Sequence, residues 1–265
     1  MSVTEGLTTE QGEWNFPSYP TCHSLPPVQV DYKEKGTWAA TGLGGIKTYT
    51  SLGTSGSGPK RAIVFFYDIG GYSPQNNQGA DLLASQGFDV YIPDVLIGQA
   101  LNISELVKMP ADERQVLREK FDSGFPGKLD TQIEPIRAMI RELKGKGYKS
   151  VGAAGFCWGG SLAPMIPDFD AIAIVHPGRS VDGELAETLE CPTCLLPSMN
   201  EDEAKMEAFH AVMKTKKVGP KCVLKWYKDM PHGWCAARGD LSKENIRTAY
   251  ADAYGVMVEF FKANL

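Results

Sequence analysis

The sequence predicts a doubly wound α/β fold, and three observations carry that prediction. Short apolar runs recur at residues 62–66, 88–92, 150–154, 171–175, 193–196 and 223–227. Unbroken runs of this length are what strands buried on both faces require. Segments with helical periodicity lie between them, at 78–86, 131–144, 202–216 and 243–261. Strands alternating with helices imply right-handed crossovers and a mostly parallel sheet with helices on both faces. Finally, 265 residues with 43% hydrophobic and 22% charged content suit one ordinary core rather than two.

Residues 1–40 are rich in Pro, Gly, Ser and Thr and show no sustained period, so they read as an arm packed on a single domain spanning 41–265. A first strand is expected at 46–51 and a polar Gly/Ser turn at 54–60. The helix at 78–86 closes at Gly87. Residues 96–130 form one insertion, too long for a simple connection, whose stretch 111–120 suits an amphipathic helix. That helix is either a surface decoration or a partial lid. In 131–144, Ile133, Ile136, Ile140 and Leu143 share a stripe, and Thr131 and Glu134 have capping-box spacing. Gly145 and Gly147 then end the helix. The last helix puts Ile246, Tyr250, Ala253, Met257 and Phe260 on one face.

Composition narrows the function. A net charge of -5, with no basic run beyond pairs such as Lys216-Lys217, argues against nucleic acid as a partner. The N-terminal residues lack the basic and apolar regions of a secretory signal. No apolar run approaches the roughly 20 residues of a membrane span. A cytoplasmic protein with no membrane partner is the expectation, as a monomer or homodimer. Six cysteines without regular spacing then default to free thiols.

The segment Gly155-Phe156-Cys157-Trp158-Gly159-Gly160 follows an apolar run and precedes a helix. A nucleophile elbow needs this context, because the sharp strand-to-helix turn tolerates only small residues two positions either side. The helix start directs backbone N–H groups at the nucleophile, an arrangement that favours a thiolate. Cys157 is therefore the candidate nucleophile. Of four histidines, His232 lies in the loop after the last strand, where hydrolases with such an elbow place their base. His23 and His210 read as structural, and His176 as a loop or core residue. The acid should fall between nucleophile and base, just past a strand end. Residues 199–203 offer Glu201, Asp202 and Glu203, and Asp202, two residues after the turn-former Asn200, is preferred over Glu201. Oxyanion stabilisation would come from the backbone N–H of Trp158 and of Ile69, in the loop after an early strand. Asp68 could modulate the ionisation of Cys157.

These features together resemble the dienelactone hydrolase family in its eukaryotic form. The matching stretches are AIVFFYDIGGY (62–72), QGADLLASQGFDVYIPDVLIG (78–98), GFCWGG (155–160), AIVHPG (173–178) and HGWCAARGD (232–240). The resemblance implies an α/β-hydrolase fold, a Cys-His-Asp triad, no metal and no organic cofactor. It also implies that an acidic residue at the position of Asp68 helps ionise the cysteine. Bacterial members hold a substrate carboxylate with arginines, and Arg238 is the nearest match. Trp234 and Tyr72, within the matching stretches, are further substrate-binding candidates. The expected partner is a small-molecule ester or enol-lactone.

Rival readings use other residues or other acceptors. Cys191-Pro192-Thr193-Cys194 is a C-x-x-C that could mark a thiol redox protein, although here it runs into a strand instead of capping a helix. A thioesterase or acyltransferase would use the same triad.

Overall fold

The computed structural model describes residues 25–54, 59–178 and 180–265. Cys22, His23, the first 24 residues of the arm and most of the 54–60 turn lie outside them. Eight strands form one sheet in the order β1-β2-β4-β3-β5-β6-β7-β8. They are β1 (Thr37–Ala39), β2 (Thr48–Ser51), β3 (Arg61–Phe66), β4 (Asp89–Pro93), β5 (Ser150–Phe156), β6 (Ile172–Val175), β7 (Thr193–Leu196) and β8 (Val223–Leu224). The pairs involving β1 and β2 are antiparallel, and from β4 to β8 the sheet is parallel. The helices are α1 (Pro74–Ala84), α2 (Ile103–Lys108), α3 (Ala111–Ser123), α4 (Ile133–Gly145), α5 (Trp158–Leu162), α6 (Gly183–Glu187), α7 (Glu203–Thr215) and α8 (Glu244–Asn264).

Burial follows the sequence pattern. Strand β5 is buried at every position, and β3 at every position but Arg61, as the unbroken apolar runs require. In α4, Ile136, Ile140 and Leu143 of the expected stripe face the core with Met139, while the opposite face carries charge. From β3 the chain goes first to β4 on one side and later to β5 on the other. Strand order thus reverses beside β3. In open parallel sheets, ligands bind at the carboxyl ends of strands at such a reversal.

Three local expectations are corrected. The boundary at residue 40 cuts the sheet, because Trp38 pairs with Tyr49 across β1 and β2. The chain before β1 is also tied down: Tyr32 Oη and Lys35 N donate to the carboxylate of Asp81 at 2.5 and 2.9 Å, and Tyr49 Oη reaches both of its oxygens at 2.8 Å. A buried carboxylate needs this many donors, which recruits the end of the arm into the domain. The capping box at Thr131 does not form. A 3-10 turn over Leu129–Gln132 precedes α4, and the Thr131 hydroxyl donates back to the Lys128 carbonyl at 2.6 Å. Finally, β8 stops at Leu224, and the later residues are held by Tyr227 N donating to the Pro197 carbonyl at 2.9 Å.

The insertion contains two helices, α2 and α3. Helix α3 buries none of its side chains and is polar nearly all round, so packing does little to hold it. Its apolar contacts with the domain run through Leu117 and Phe121, and the Phe121 ring meets Trp158 edge-on at 6.3 Å.

Candidate active site

Cys157 sits between β5 and α5 with φ 54° and ψ -112°, a conformation that costs an L-residue on the order of 1–3 kcal/mol. The turn is held from both sides. Cys157 N donates to the Val175 carbonyl at 3.1 Å, and the Cys157 carbonyl accepts from Ser161 N at 3.0 Å. A Cβ at Gly155 would lie 2.2 Å from the Gly159 carbonyl oxygen, and one at Gly159 would lie 2.3 Å from that of Phe66. The elbow glycines are therefore required by close backbone approach. Cys157 as a residue is 6% exposed and lines two cavities.

His232 lies in the loop after β8 and borders one cavity with Cys157 and Glu201. Its Nδ1 is 2.7 Å from Glu201 Oε1. This overturns the preference for Asp202. Asp202 is exposed and caps α7, its Oδ1 accepting from Lys205 N at 3.1 Å. Capping commits Asp202 to the helix, which leaves the preceding residue to face the loop. The Glu201 side chain is 4% exposed, and its second oxygen accepts from the backbone N–H of Ser198. Next to it, Asn200 Oδ1 accepts from His232 N at 2.8 Å. One short loop thus grips His232 by both ring and backbone.

Burial disfavours a charged imidazole at His232, but hydrogen bonding and attraction from Cys157 and Glu201 outweigh it and raise the ring to about 10. Because the folded value lies above the ordinary 6.5, this group stabilises the fold fully below pH 6.5. That contribution fades as pH rises toward 10. In an NMR titration the His232 ring should stay protonated through pH 8, and Glu201→Gln should move its midpoint downward. A midpoint near 6.5 in the unmodified protein would remove the charged pair from the picture.

His176 adds a feature that its place after a strand had suggested only as core. It is fully buried, has φ 33°, and its ring lies 5.1 Å from that of His232. Burial, followed by the charge of His232, holds it well below its usual value and therefore neutral. An uncharged ring is the one that can sit beside an imidazolium without repulsion.

Ile69 lines one of the cavities beside Cys157 and Trp158 lines the other. Asp68 lines the same one as Ile69. Its Oδ1 accepts from Gly70 N at 2.7 Å and its Oδ2 from Ala237 N at 3.1 Å, which ties the loop after β3 to the loop carrying His232. Burial raises the Asp68 carboxyl, and these two donors oppose the rise.

Of the three substrate-binding candidates, Arg238 lines a cavity with Cys157, and its stem packs against Gly233. The other two lie elsewhere. Trp234 is fully buried, stacked at a tilt on Tyr227 with centroids 4.6 Å apart. Tyr72 packs on Trp38 and Tyr67 and donates its hydroxyl to the Ile92 carbonyl at 2.9 Å. Gly233, just before Trp234, lines a cavity with Cys157, while the Trp234 ring turns into the fold. The sequence reading missed Arg114 and Arg118 of α3, which line both cavities that Cys157 borders. Their i, i+4 spacing put them on one helix face, a usable signal. The Cys191 and Cys194 thiols are buried away from this region. Burial pushes Cys191 up to about 12 and Cys194 also upward, opposite to what a redox pair needs.

Comparison with known proteins agrees with this architecture. Residues 46–265 match the model of the family described as "Dienelactone hydrolase family". An AIM2 family protein of Schizosaccharomyces pombe is 31% identical over 248 residues, covering 92% of this chain and 97% of its own. The mouse carboxymethylenebutenolidase homolog is 25% identical over 199 residues, covering 71% of this chain and 76% of its own. Among solved structures, a dienelactone hydrolase of Anabaena variabilis superposes with a TM-score of 0.56 at 16% identity, covering 88% of this chain and 98% of that one. That likeness supports the fold.

Proposed function

The chain belongs to the dienelactone hydrolase family and is an ester or lactone hydrolase; from that premise we propose a thioester mechanism run by Cys157, His232 and Glu201. The observation that carries this reading is the Glu201 carboxylate held 2.7 Å from the His232 ring, on a cavity that Cys157 also lines. Each role follows from chemistry. The Cys157 thiolate attacks the carbonyl carbon and forms the C–S bond. Negative charge passes to the carbonyl oxygen, which the Ile69 and Trp158 N–H groups receive. As the C–O bond breaks, the His232 imidazolium gives its proton to the departing alkoxide. Water then adds to the thioester, its proton going to His232, and the thiolate is released.

Glu201 orients the imidazole and supports its charge without being protonated itself, as the carboxylate of such triads does. Asp68 holds the loop of Ile69 against the loop of His232, so that oxyanion donor and base keep their spacing. Arg238 would meet a negatively charged group on the substrate. The substrate is a small molecule.

Labelling tests the nucleophile. Iodoacetamide at neutral pH should modify Cys157 faster than Cys191, Cys194, Cys222 or Cys235, as mapped by mass spectrometry. Cys157→Ala should abolish hydrolysis of p-nitrophenyl acetate and leave the thermal melt within a few degrees. Equal labelling of Cys157 and Cys191, with turnover surviving in Cys157→Ala, would sink the mechanism.

A further inference from the structure

Cys157 stands on the wall of two cavities of unequal size. The smaller holds about 300 Å3 and the larger about 1140 Å3. Cys157, His232, Arg114 and Arg118 border both, so the two spaces meet at the reacting sulfur under the face of α3. Ile69, Ile103, Leu106 and Val107 line part of the small chamber, and Asp68, Arg114, Arg118 and Arg238 line another part of it. The larger cleft also mixes charges of both signs, among them Lys128, Glu119, Asp122 and Asp130.

Resting on the thioester reading above, we infer that the substrate is an open-chain ester joining a short acyl group to a large polar alcohol. The acyl group occupies the small chamber and the alcohol fills the cleft. At roughly 30 Å3 for each water-sized group, the chamber takes ~10 such groups and the cleft several times more. The assignment of sides follows from the reaction. The acyl group stays bonded to sulfur through the intermediate and needs only a closely fitting space. The alcohol must leave, and water must then reach the same carbonyl on the side it vacated. Glu201 borders the cleft and not the chamber, so the base is braced on the side from which that water arrives.

The bonds balance without any co-reactant. The C–O bond to the alcohol is replaced by C–S at Cys157, and His232 supplies the proton that the alkoxide takes. Water later replaces sulfur at the same carbon and returns a proton to His232. A compact lactone, whose alcohol remains tethered to its acyl group, would leave the cleft largely unfilled.

Two ester series and two variants test this. The first series is p-nitrophenyl acetate, butyrate, octanoate and dodecanoate. The second is the acetates of p-nitrophenol, 4-methylumbelliferone and maltotriose. Expected kcat/KM falls at least 10-fold between the butyrate and dodecanoate, and holds or rises as the alcohol grows. Leu106→Trp, which narrows the chamber, should steepen the acyl-length dependence. Gln115→Trp, on the cleft wall alone, should cut maltotriose acetate at least 10-fold more than p-nitrophenyl acetate. The inference is overturned by the crossed pattern, in which Gln115→Trp penalises long acyl chains and Leu106→Trp penalises large alcohols. A flat response to both series overturns it as well. In either case, loss of p-nitrophenyl acetate hydrolysis in Cys157→Ala would leave the thioester mechanism standing. Turnover that survives in Cys157→Ala would instead remove the reading beneath it.

Discussion

Glu201→Gln is expected to lower turnover by about 10³–10⁴-fold, the loss seen when the carboxylate behind a catalytic imidazole becomes an amide. The amide can present an N–H to His232 Nδ1 and so stabilise the wrong tautomer, and it no longer supports the imidazolium charge. Asp202→Asn, one residue along, should change turnover by less than about threefold, since asparagine caps a helix nearly as well as aspartate. The two variants differ only in which neighbouring carboxyl becomes an amide, so the comparison controls for charge. Steady-state kinetics on p-nitrophenyl acetate reads the result. If Asp202→Asn proved the more damaging, the hydrogen bond at 2.7 Å between Glu201 and His232 would not be the working one.

Gly159→Ala should destabilise the protein by about 2–4 kcal/mol, because its new Cβ would lie 2.3 Å from the Phe66 carbonyl oxygen. That contact is with backbone, so no side-chain rotation relieves it. For a chain of this size the melting temperature should fall by roughly 5–15 °C. Activity should fall further than stability, since pushing α5 from β3 displaces the Trp158 N–H from the oxyanion. Thermal melts beside kcat at a temperature where the variant stays folded would separate the two losses. A native melting temperature would mean that the β5 to α5 turn is looser than its contacts indicate.

The elements that could be read from sequence were those with a strong period or a crowded motif. Strands β3, β5, β6 and β7 announce themselves as unbroken apolar runs, and α4 and α8 as stripes. Cys157 was legible because the elbow encodes its own sterics in Gly155 and Gly159. His232 was legible because it follows the last strand. The acid was not, for a local reason. Residues 201–203 are all carboxylates, and the one facing His232 depends on where α7 begins. A shift of one residue at a helix start is beyond what propensity resolves. Strand β1 was hidden for a different reason: three residues at a sheet edge, TWA, carry no periodic signal and are fixed by pairing with β2. Trp234 and Tyr72 were misplaced because a conspicuous aromatic beside a motif glycine says nothing about which way its ring turns.

Helix α3 contributes arginines to the ligand space while burying no side chain of its own. Cys157, His232 and Glu201, by contrast, hang from strand ends fixed by the sheet. The roof and the proposed triad are therefore separable inheritances. Changes of sequence within α3 cost the fold little, because it buries no side chain and loop closure entropy grows slowly. Descendants of one ancestral hydrolase could exchange this segment, acquire new substrates, and keep the chemistry beneath it unaltered.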